Sequence, residues 1–126
     1  MNEKQWYSYF HYAAKITKAR FDMNDTTDLE TLNRMDYPPK AVYHLLRMEE
    51  QLYKYSQGKN YLQVIQSDQK EFLIQVKRGK YSKKEAEEMI AAAYLNIQRI
   101  LSDIKPNKPD LQVQYKLYKL IMELEI

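Results

Sequence analysis

The chain contains no cysteine. Disulfides, thiolate nucleophiles and zinc sites built on cysteine are thereby excluded. Glycine and proline are scarce, two and four in 126 residues. A collagen, a low-complexity tether and a turn-rich β-sandwich do not fit that composition. No apolar run approaches the roughly 18 residues of a membrane span. The opening stretch from Met1 to Trp6 lacks the apolar segment of a signal peptide. The expectation is a cytoplasmic protein with no membrane partner. Charge of one sign is not in excess either. Twenty basic residues against 17 acidic ones leave a formal charge of +3, far short of an obligate nucleic-acid binder.

What is present points to helices. The length predicts one domain, residues 1–126, and a hydrophobic share of 44% is enough for a single core. Twelve tyrosines are the compositional oddity. Each pairs an apolar ring with a polar tip, which suits half-buried surfaces and interfaces. Trp6, Phe10, Ala13 and Ile16 recur at helical spacing between about Glu3 and Arg20, and Tyr9 and Tyr12 widen the stripe. From Phe21 to Asp36 the chain turns polar. Asp25 or Thr27 caps a short helix there with Leu29, Leu32 and Met35, or the stretch is a plain connection.

Pro38 and Pro39 are preorganised for a helix start, and Gly58 for its stop. Between them Val42, Leu45, Leu46, Leu52 and Tyr53 are placed on one face. Tyr61 to Ile65 is β-prone, an extended arm or a lone strand. Asp68-Gln69-Lys70-Glu71 and Ser82-Lys83-Lys84-Glu85 both have the form of a capping box. The first predicts a short helix with Phe72, Leu73 and Val76 inward, ending at Gly79. The second predicts the longest helix, Lys83 to Ile104, with Ala86, Met89, Ile90, Ala93, Ile97, Ile100 and Leu101 inward. Pro106 and Pro109 bracket a turn. Asp110 caps a last helix with Val113, Leu117, Leu120, Ile121 and Leu124. The fold class expected is all-α, one compact domain of five to six helices with at most one short strand near 61–65.

Motifs for chemistry are few. The two glycines stand apart, so there is no glycine-rich phosphate loop. His11 and His44 fall on different helices, and no His-Glu-x-x-His occurs. Glu49-Glu50 and Glu87-Glu88 read as solvated faces. No metal ligand set, catalytic residue or cofactor is expected. Two basic features remain. Lys40, His44 and Arg47 lie within about 60° of one another on a helix, opposite Val42, Leu45 and Leu46. They form either a row for one anion, such as a phosphate, or a solvated face. Lys77, Arg78, Lys80, Lys83 and Lys84 pack five cations into eight residues around a helix stop and start. They form either a solvated turn or a contact for phosphate or an acidic protein.

The order of these motifs is informative. Pro39-Lys40-Ala41-Val42-Tyr43-His44-Leu45-Leu46-Arg47-Met48 resembles the Lys-x-x-x-His-x-x-Arg helix of a phage and bacterial family. That family is the predicted nucleotidyltransferases of the DNA polymerase β superfamily. Gly58 follows at the spacing of the family's helix-ending glycine. Asp68 to Gly79 resembles its Asp-x-x-x-Leu-x-x-Ile-Arg-x-Gly segment, and Tyr81 to Glu85 the capped start of its next helix. Pro106 to Asp110 resembles its Pro-x-x-Pro-Asp turn. Phe10 to Ala13 and Arg20 are similar to a helix preceding these.

The resemblance covers the helical C-terminal half of such enzymes. Their Gly-Ser turn and Asp-x-Asp strand, which bind triphosphate and two magnesium ions, have no counterpart here. In the family, the row resembling Lys40, His44 and Arg47 contributes to the nucleotide side of the cleft. The missing active site and the basic, tyrosine-rich surface lead to the expectation of a non-catalytic helical interaction protein, and the resemblance implies that it is phage-encoded and acts in the host cytoplasm. Its expected partner is a host nucleic-acid-processing or defence protein, which it binds and blocks. The alternatives are one piece of a split nucleotidyltransferase and a weak nucleotide- or nucleic-acid-binding module.

Overall fold

The computed structural model describes residues 3–23 and 36–104. Five helices and no strand occur among the described residues: α1 Glu3–Asp22, α2 Pro39–Ser56, α3 Tyr61–Ile65, α4 Lys70–Lys77 and α5 Lys83–Ile104. This is the expected all-α class. The helix expected around Leu29, Leu32 and Met35 lies outside the described residues. So do the 106–110 turn and the helix expected from Val113 to Leu124.

Local chemistry sets most of the boundaries. Pro38 is the extended N-cap of α2 and Pro39 its first residue, where a missing N–H costs nothing. Gly58 and Gly79 have φ of +77° and +72°, the left-handed conformation that ends a helix without a Cβ penalty. Ser82 and Glu85 form the expected capping box. The Glu85 N–H donates to Ser82 Oγ at 3.1 Å and the Ser82 N–H to Glu85 Oε1 at 3.0 Å.

Two expectations are corrected. Tyr61–Ile65 is one helical turn, because Asn60 and Gln63 form a capping box that its β-prone side chains do not outweigh. The Asp68 capping box does not form. Asp68 lies 3.1 Å from Lys54 Nζ instead, and Gln69 caps α4 without a side-chain bond.

α1, α2 and α5 pack against one another, while α3 and α4 pack on α2 alone. α1 is antiparallel to α2. Trp6, at its start, stacks on Tyr55 with ring centroids 4.7 Å apart, and Phe21, at its end, meets Tyr37. α5 runs beside α2 in the same direction. The Tyr37 hydroxyl donates to the Tyr81 carbonyl at the near end, and Asn96 Nδ2 donates to Glu49 Oε2 further along. Phe10, Leu45, Leu52 and Ile97 are sealed in the middle.

The predicted inner face of α5 holds: Ala86, Ile90, Ala93, Ile97 and Leu101 are buried and Met89 and Ile100 partly so. On α4, Leu73 and Val76 are buried and Phe72 half-buried. On α2, Tyr53 is exposed rather than inward. On α1 the buried set includes Tyr7, Ser8, Ala14, Thr17 and Phe21 as well as Phe10 and Ala13. Two neighbours, α2 and α5, bury a wider arc of α1 than a single apolar stripe would show.

Candidate interaction site

α2 contributes the first part of the site. Its N-cap makes no side-chain hydrogen bond and its first turn carries no acid. Lys40 stands exposed in that turn, at the end of the helix dipole that disfavours a cation. One turn on, His44 is half-buried. Burial pushes its pKa below the ordinary value, and Lys77 and then Lys40 push it further the same way.

Lys77 comes from the last turn of α4. Its ammonium sits 5.1 Å from the centre of the Tyr43 ring, a cation–π contact. The Tyr43 and His44 rings meet edge-on at 5.3 Å. The two basic features that were separate in sequence therefore meet. Lys40, His44 and Lys77 gather where α4 crosses α2. Neither lysine has a carboxylate partner among the described residues.

The rest of the two basic features disperses. Arg47 is half-buried and engaged. Its Nη1 donates to Glu50 Oε1 at 2.9 Å and its Nη2 to the Ile65 carbonyl at 2.7 Å. The row is thus not uniformly open, because α3 and the chain after it fold across its far end. Arg78, Lys80, Lys83 and Lys84 are exposed around the turn between α4 and α5. Lys83 borders a separate cleft with Lys18, Asp22, Asp36 and Glu87, so carboxylates neutralise its surroundings. Glu85, the acid inside this turn, is committed to the Ser82 cap. The Ser82 backbone and then its hydroxyl hold the Glu85 carboxyl below the usual range.

Arg47 belongs instead to a polar staple that sequence reasoning missed. Glu50 Oε2 accepts the Asp68 N–H at 2.9 Å. Lys54 Nζ donates to the Gln66 carbonyl and lies 3.9 Å from Glu50. Arg47, Glu50 and Lys54 are spaced i, i+3, i+7, and together they pin residues 65–68 to α2. The 47–50 and 50–54 spacings are those of helical ion pairs, and that signal was available in the sequence. Glu50 is accordingly no solvated acid. Its side chain is 11% exposed.

Among the described residues no group of three His, Asp or Glu side chains is placed to hold a metal ion. Among them, too, no helix is long and apolar enough to cross a membrane. No family model, curated protein or solved structure matches the chain.

Proposed function

We propose that the chain is a non-catalytic interaction protein that grips an acidic surface of a protein partner at the crossing of α2 and α4. One observation carries this reading: Lys40, His44 and Lys77 converge with no carboxylate neutralising them among the described residues. Burial first, and then repulsion from Lys77 and Lys40, depress the His44 pKa. A partner carboxylate relieves that repulsion and draws a proton onto the imidazole. The order of motifs along the chain supports an origin in the C-terminal half of a nucleotidyltransferase of phage type. On that reading the partner is a host nucleic-acid-processing or defence protein, in the cytoplasm.

The test is a comparison of two immobilised proteins, the wild type and the Lys40→Ala/His44→Ala/Lys77→Ala variant, in capture from the native cell. All three side chains lie outside the sealed core, so the variant is expected to melt like wild type. It is expected to lose an acidic partner that the wild type retains. Capture unchanged in the variant overturns the reading. Retention of nucleic acid alone, released steeply as salt rises, favours a nucleic-acid module instead. Capture of a domain with which the chain transfers labelled nucleotide favours a split nucleotidyltransferase.

A further inference from the structure

A groove of about 360 Å³ opens beside this cationic crossing, at the small end of ligand pockets. Tyr43 of α2, Ile65 of α3, and Leu73 and Ile74 of α4 supply its apolar walls. Ile65 and Ile74 are 41% and 45% exposed, a large share for aliphatic side chains that face one gap. Arg47 and Lys70 also line the groove, and none of its lining residues is acidic.

The spacing on α4 orders these groups. Lys70, Ile74 and Lys77 are i, i+4 and i+7, so they share one face. The two ammonium groups stem from positions about 10 Å apart along the axis, with the isoleucine between them. Lys77 is held over Tyr43. Lys70 has no ion pair among the described residues. Arg47 is occupied by Glu50 and the Ile65 carbonyl, so it forms a fixed wall and leaves the lysines to meet a ligand.

We infer that this groove docks an acidic segment of a protein partner, which seats one aliphatic or aromatic side chain between Tyr43, Leu73 and Ile74 and places carboxylates on Lys70 and Lys77. Charge complementarity selects the occupant. With Arg47 paired to Glu50, the charge left to the groove is that of Lys70 on its lining and Lys77 beside it, which repels a basic peptide. A ligand without an apolar anchor leaves Ile65 and Ile74 facing water. The inference rests on the acidic-partner reading above and narrows it to a peptide with an anchor.

The probe is a display library of short peptides in which aspartate and glutamate alternate with random residues, selected on the full chain. Enriched peptides are expected to share an aliphatic or aromatic position. Ile74→Ser is expected to weaken a selected peptide by about tenfold or more, and Lys70→Glu/Lys77→Glu to do the same. Both changes fall on exposed side chains and are expected to leave thermal melting near wild type. Ile65→Ser serves as a second neutral probe should Ile74→Ser fail to fold. Peptides enriched for acid alone, bound equally by Ile74→Ser or Ile65→Ser, overturn the groove while leaving the cationic face in place. A selection with no enrichment overturns both.

Discussion

The helices α1, α2 and α5 and the flank formed by α3 and α4 are held differently. The first three share a continuous apolar core in which Phe10, Leu45, Leu52 and Ile97 are fully buried. The flank buries little besides Val64, Leu73 and Val76. Leu73 and Val76 of α4 join the same core, while the polar staple of Arg47, Glu50 and Lys54 pins the link between α3 and α4 to α2. The flank also leaves Tyr61, Leu62, Ile65 and Ile74 exposed. Burial is non-directional and scales with area, so the three-helix part tolerates small changes of shape. A staple depends on a few bonds of fixed geometry, so one missing acceptor matters. A region with few buried apolar contacts is expected to open locally before the rest does, and this region supplies Lys77 of the cation cluster and most of the groove wall.

The comparison breaks first at the core. Ile97→Asp puts an unpaired charge among sealed side chains and should cost more than about 4 kcal/mol. Circular dichroism should show a largely unfolded chain, and a native melt would mean that α5 is wrongly phased. A selective break comes next. Glu50→Ala removes the acceptor of Arg47 and of the Asp68 N–H and should cost about 2 kcal/mol. Hydrogen exchange should lose protection across residues 61–77 and keep it in α1 and α5. Uniform loss would make the flank part of one cooperative unit with the core.

A smaller effect of opposite sign is expected inside the core. Thr17 is fully buried on α1, and its hydroxyl has no hydrogen-bond partner among the described residues. Thr17→Val keeps the branched shape and discards the orphaned group. It should stabilise by about 1 kcal/mol, read as a raised melting temperature. The smallest effect is titration of His44. Its folded pKa lies below its ordinary value of 6.5, so the unfolded chain binds more protons in the window below that value. Stability should therefore fall as pH drops through the window. His44→Asn should flatten that part of the pH–stability profile, and an unchanged slope would assign it to other groups.

Much of the helix framework was legible because its signals are local. Both glycines stop helices, Pro39 opens α2, and Ser82 with Glu85 opens α5. The inner face of α5 followed from its periodicity. The α3 segment was misread because the bulk of Tyr61, Val64 and Ile65 suggested a strand, while the Asn60–Gln63 pairing that decided the matter was overlooked. Glu50 was misread because pairing spacings on a helix do not show whether another segment will cover them. The candidate site was legible in its residue types and not in its grouping.

Helix starts and stops were determined by the sequence itself, since a cap or a left-handed glycine acts through backbone torsions and hydrogen bonds within about one turn. The capture of Arg47 by the Ile65 carbonyl was decided only in three dimensions. So were the meeting of Lys77 with His44 and the groove between Tyr43, Ile65 and Ile74. Each of these depends on where α3 and α4 dock against α2. That docking brings together groups 18 or more residues apart, as Arg47 and Ile65 are, and no periodicity along one helix encodes the position of a second.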